Sequence, residues 1–165
     1  MNSELMKARL GIMAIYLCCC TVSAAQMAKS FVQMEVLTPS RSGPITDYAG
    51  NVALWAEWIQ DESYMEMLDG TKWKYDHMDS KGECHYKFVK SLKPIMPGTT
   101  YHEAVVSCDK TKIVVIYTFG FGGYYTKMYA TYGYIGEGKQ PAVDYIIQAG
   151  ERSQKLERNG LKIGK

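Results

Sequence analysis

The sequence predicts an α+β domain, an antiparallel β-sheet of about six strands with a C-terminal helix packed on one face. Three observations carry this. Thr99 to Ile135 reads as three strand-forming runs broken only by Cys-Asp-Lys-Thr and Gly-Phe-Gly-Gly. Asp69-Gly70 separates two short alternating runs, YMEML and TKWKY, as a hairpin turn does. Pro141, followed by Val143, Ile146 and Ile147 at helical spacing, opens a terminal helix. A rival architecture, a closed β-barrel without a packed helix, accommodates the same strands.

Taken in order, Phe31 to Leu37 is a first strand, ended by Thr38-Pro39. Ile45 to Asn51 is turn-rich. Val52 to Gln60 fits either a helix burying Val52, Trp55, Ala56 and Ile59 or a strand alternating Val52, Leu54, Ala56 and Trp58. The preceding Gly-Asn turn and two tryptophans favour the strand. In the Asp-Gly hairpin a two-residue type I′ turn pairs Leu68 with Thr71. That register puts Tyr64, Leu68, Trp73 and Tyr75 on the core face and Met65, Met67, Lys72 and Lys74 outside.

Asp76 to Glu83 is a charged loop, and Cys84 to Leu92 a strand with Tyr86 and Phe88 on one side. The meander follows. Tyr101, Glu103, Val105 and Ser107 alternate with Thr100, His102, Ala104 and Val106. Ile113, Val115, Tyr117 and Phe119 share a face, with Val114 and Ile116 opposite, the pattern of a central strand covered on both sides. The helix closes at Gly150 or continues as a charged extension.

The organisation expected is a signal peptide over residues 1–25, a single domain over 26–150 and a polar, frayed tail over 151–165. Lys7 and Arg9 precede an apolar run from Leu10 to Val22, with small residues Ser23, Ala24 and Ala25 after it. This is the pattern of an exported protein of the periplasm, outer envelope or extracellular space, with no transmembrane segment once the signal is cleaved. Cys18 to Cys20 leave lipid attachment open as an alternative to a free N-terminus. The 165 residues are 47% hydrophobic, which excludes disorder as the main state, and a formal charge of +2 gives no sign of a nucleic-acid partner. After processing only Cys84 and Cys108 remain, and an even count in an exported chain points to one disulfide between them.

Catalytic signatures are missing. His102-Glu103 lacks the second histidine of a zinc-protease helix, Val106 standing in its place, and Gly120 to Gly123 lead into a strand and not into a phosphate-binding helix. Neither a metal nor a cofactor is expected. What stands out is aromatic. Tyr124, Met128, Tyr132 and Tyr134 fall on one face of the last strand, and Tyr125, Lys127 and Tyr129 on the other. Tyr124, Tyr125, Lys127 and Tyr129 are therefore the candidate binding residues of a non-enzymatic protein contacting a protein or glycan, since tyrosine offers area and a hydroxyl at low entropic cost. The alternative is a small periplasmic inhibitor of a hydrolase, or an envelope enzyme, working through Asp76 to Glu83 or Ile95 to Thr99.

Three stretches, Asp47 to Trp58, Ala104 to Tyr125 and Pro141 to Gly150, resemble the surface-adhesin E family of small exported bacterial domains. The first resembles its Gly-Asn turn before a Trp-bearing strand, the second its turn between core strands, here ordered Cys108-Asp109, and the third its closing helix. The resemblance implies an antiparallel sheet with a helix against it and an envelope or surface protein, monomeric or homodimeric, that binds host or envelope proteins. It also implies a bridge from the central cysteine to one near the C-terminus. This chain has none there.

Overall fold

The structure, a computed structural model, describes residues 27–38 and 52–158. The expected signal peptide, the turn-rich stretch 45–51 and the end of the tail lie outside the described residues. Eight strands appear among those described: β1 (Met27–Leu37), β2 (Ala53–Ile59), β3 (Tyr64–Met67), β4 (Thr71–Met78), β5 (Cys84–Ser91), β6 (Thr99–Val106), β7 (Lys112–Phe121) and β8 (Tyr124–Glu137). One helix, α1 (Gln140–Arg158), follows.

Each strand pairs antiparallel with its neighbour in sequence, and β1 pairs with β8 from Lys29↔Glu137 to Leu37↔Tyr129, so the sheet closes into a barrel. This corrects the expected open sheet of about six strands with a helix on its face. β7 is flanked by β6 and β8, as expected of a central strand, but it is not covered on both faces. Ile113 and Val115 are buried inside the barrel, while Val114 and Ile116 are half-buried on its outer wall. Twist is added by bulges at Ser30/Phe31 and Gln33/Glu35 in β1, at Lys72/Trp73 between β4 and β5, and at Tyr101/Glu103 in β6.

The Asp-Gly hairpin differs from its expected register by one residue. The pairs are Tyr64↔Lys74, Met65↔Trp73 and Glu66↔Lys72. Gly70 alone of the turn has positive φ (83°) and donates to the Met67 carbonyl, which is a three-residue loop and not a two-residue type I′ turn. A slip of one residue exchanges the faces of a strand. Met65 and Met67 thus point inward beside Trp73, and Tyr64 lies outside under the Lys72 ammonium.

The core fills the barrel with Phe31, Leu54, Trp58, Met65, Trp73, Tyr86, Val106 and Ile113 around small Ala56 and Ala104. The outer wall carries ion pairs such as Lys72–Glu66 (3.1 Å) and Lys87–Glu103 (2.8 Å). An apolar interior with a charged exterior is the reverse of a lipid-facing barrel.

The helix α1 lies outside, against β1, β2 and β8. Its first turn is anchored by Ser30, whose Oγ accepts from the Ala142 N–H (3.0 Å) and donates to the Gly138 carbonyl (2.7 Å). That anchor turns Ala142 and Ala149 to the wall and leaves Ile146 and Ile147 exposed, so the expected stripe of Val143, Ile146 and Ile147 is not the docking face.

Candidate binding site at the mouth of the barrel

The β3–β4 loop, the segment between β5 and β6 and the β7–β8 turn all sit at one end of the barrel, here termed the mouth. A cavity of about 300 Å³ opens there, lined by Leu54, Met67, Asp69, Met96, Thr99, Tyr101, Val115, Tyr117, Phe119, Met128 and Tyr132. The sequence creates it through residue size. Met128 and Ala130 of β8 stand opposite Tyr117 and Val115 of β7, and the large side chains Phe31, Trp58 and Tyr86 fill the other half of the barrel, where the Tyr86 hydroxyl donates to the Glu62 carbonyl.

A hydrogen-bonded chain frames the rim. The Trp73 indole N–H donates to Thr71 Oγ1 (2.7 Å), and Thr71 donates its hydroxyl (2.6 Å) and backbone N–H (2.9 Å) to Asp69 Oδ1. The Tyr101 hydroxyl lies 3.5 Å from Asp69 Oδ2. Tyr101 is held in place by rings on three sides, with centroids at 5.5 Å (Phe88), 5.7 Å (Trp73) and 6.0 Å (Tyr117). Burial, then the Asp69 charge, pushes the Tyr101 phenol up to about 12. Burial likewise raises Tyr117 and Tyr132. All three stay neutral hydroxyls at physiological pH.

The four tyrosine-strand candidates divide. Tyr125, Lys127 and Tyr129 form one row on the outer wall, with the Lys127 ammonium 5.5 Å from the Tyr129 ring centroid. Tyr125 is 65% exposed, but Tyr129 is half-buried between the neighbouring strands. Tyr124, 86% exposed, continues the inward row beyond the mouth, opposite Phe121 in the ladder. Sequence reasoning missed the cavity itself, including Asp69, which reads as a turn residue, and Tyr101 and Tyr117, which read as ordinary strand residues.

At the opposite end Cys84 and Cys108 are free thiols, not joined to each other. Cys84 faces Val106 in the ladder, two residues short of Cys108. Burial pushes the Cys84 thiol up, away from the reactive thiolate. Nearby Gln60, Asp61 and Glu62 all have positive φ, and Glu62 pairs with Lys110 at 2.8 Å. His77 and His85 stack at 4.4 Å on the outer wall, each beside carboxylates: Asp76 at His77, Glu103 and Asp79 at His85. Among the described residues no group of three or more His, Cys, Asp or Glu side chains is arranged to hold a metal.

No protein-family model, curated protein or solved structure matches this chain. The likeness to the surface-adhesin E domains therefore rests on the quoted residues alone.

Proposed function

We propose that this is a non-enzymatic binding protein, acting in the exported setting that the N-terminal residues suggest, which takes a small, largely apolar ligand into the mouth of its barrel. One observation carries the reading: the aromatic-lined cavity of about 300 Å³, at the small end of the range for ligand pockets. An eight-stranded barrel is just wide enough for its own side chains or one small ligand. Here the bulk of the core lies below the cavity.

The test is titration with the neutral fluorophore N-phenyl-1-naphthylamine. Saturable one-to-one binding is expected, and Met128→Trp, which fills the cavity from a half-buried position, should abolish it while the far-ultraviolet spectrum is unchanged. Equal binding by the filled variant would reject the reading.

The exposure of Tyr124 and Tyr125 favours a second reading, in which the β7–β8 tip, with Lys127 and Tyr129, meets a protein or glycan partner. Replacing Tyr124 and Tyr125 by serine should then remove retention on an immobilised partner at little cost in stability. Unaltered retention would dismiss the tip.

A further inference from the structure

We infer that the ligand of the mouth is an organic cation, an alkyl- or arylammonium whose apolar body enters the barrel and whose charged head stays at the rim beside Asp69 and Tyr101. This rests on the reading of the mouth as a ligand site and adds the ligand's chemistry.

Charge decides it. Among the residues lining the cavity Asp69 is the only charged one; Lys93, beside the same loop, gives its ammonium to the Leu68 carbonyl (2.7 Å) and makes no ion pair with Asp69. Among the described residues Asp69 enters no ion pair, although the outer wall pairs its carboxylates freely, as at Glu66, Glu103 and Glu137. The two Asp69 oxygens are unequally used. Oδ1 accepts both Thr71 donors, whereas Oδ2 has only the long contact from Tyr101, which leaves acceptor capacity facing the mouth. An ammonium N–H fits that oxygen.

The walls agree with the head group. Tyr101, whose hydroxyl reaches Asp69, supplies an aromatic ring near the head group, where ring quadrupoles favour cations, while Tyr117 and Tyr132 line the wall against the apolar body. Met67, Met96 and Met128 add polarizable sulfurs that adapt to an alkyl or aryl body. A fatty-acid carboxylate would meet an uncompensated like charge at the rim, and tail-first entry would hold it there.

The test uses three probes of one shape, octylammonium, octanol and octanoate, each displacing N-phenyl-1-naphthylamine from the full chain. Octylammonium should bind about tenfold more tightly than octanol, with octanoate weakest. In Asp69→Asn, which keeps the Oδ1 acceptor for Thr71, the preference for the cation over octanol should fall to about onefold. As a measurement independent of any variant, raising salt from about 20 mM to about 0.5 M should weaken octylammonium severalfold and leave octanol unaffected. Equal binding of octanol and octylammonium, tighter binding of octanoate, or an unchanged preference in Asp69→Asn overturns the inference and leaves the mouth as a site for neutral ligands. Failure of all three probes, together with failure of the fluorophore to bind, overturns the site and the inference with it.

Discussion

Gly98 and Gly120 lie backbone to backbone: the Gly120 N–H donates to the Gly98 carbonyl at 3.1 Å, and a Cβ on Gly98 would overlap the Gly120 carbonyl oxygen. This contact fixes the approach to β6 against the end of β7, beside Thr99 and Phe119 of the cavity wall. Gly98 also has φ of +84°, where a side chain is strained. Gly98→Ala is expected to destabilise the fold by about 2–3 kcal/mol, combining left-handed strain with the steric overlap. A melting temperature unchanged from the parent would contradict it.

The rim network gives a second expectation. Thr71 is buried and bridges the Trp73 indole to Asp69. Thr71→Val keeps the shape but orphans the indole N–H, at a cost of about 1–3 kcal/mol. Trp58, also buried, has no well-formed hydrogen bond from its Nε1 among the described residues, only an approach to the Tyr86 hydroxyl. Trp58→Phe should therefore cost less than Trp73→Phe. Chemical denaturation of the two phenylalanine variants compares them directly, and the reverse order would refute the account.

A third expectation concerns acid. Hydrogen bonds from the Ser107 and Thr111 side chains, then from the Thr111 backbone, hold the Asp109 carboxyl at about 2, below its ordinary 3.8. A depressed acid stabilises the fold while ionised. Its contribution is complete above the unfolded value and is lost as pH falls from about 4 through about 2. Melting temperatures of the parent and of Asp109→Asn, measured across that interval, should converge as pH falls; a constant gap between them would count against the role assigned to Asp109.

The cysteine pair supplies the fourth. Both thiols are free in the structure, at neighbouring positions of β5 and the β6–β7 turn. Oxidising conditions would close a loop of about 25 residues and add up to about 3–4 kcal/mol in the chain-entropy model. Thiol titration of the protein as isolated, with melting curves in the presence and absence of reductant, measures this. Two titratable thiols and a melting curve indifferent to reductant would remove the bridge from the account.

Much of the strand content was legible because alternation reports faces directly. Ile113, Val115, Tyr117 and Phe119 do share the inner face, and Met128 and Tyr132 stand across from them. Closure was not legible. Nothing in the pattern of β1 distinguishes a strand with one neighbour from a strand with two, so pairing of Phe31 with both Leu54 and Tyr134 emerges only in three dimensions. The hairpin misled for a different reason. Asp-Gly serves two-residue and three-residue loops alike, and the choice reverses which side of β3 is core. The cavity was hidden by the same closure, because Asp69, Tyr101 and Tyr132 converge only when the sheet has curled.

The β1–β8 seam also sets the order of assembly. Every other strand pair joins sequence neighbours, whereas this one joins segments roughly a hundred residues apart, the costliest loop to close. Until β8 is in place the growing sheet has two open margins, and β1 waits with the hydrogen-bonding groups of its outer edge unsatisfied. A chain stalled there is a template for its own kind. Changes that weaken β8 are thus expected to lower the yield of soluble protein more than they lower the stability of molecules that do complete the ring.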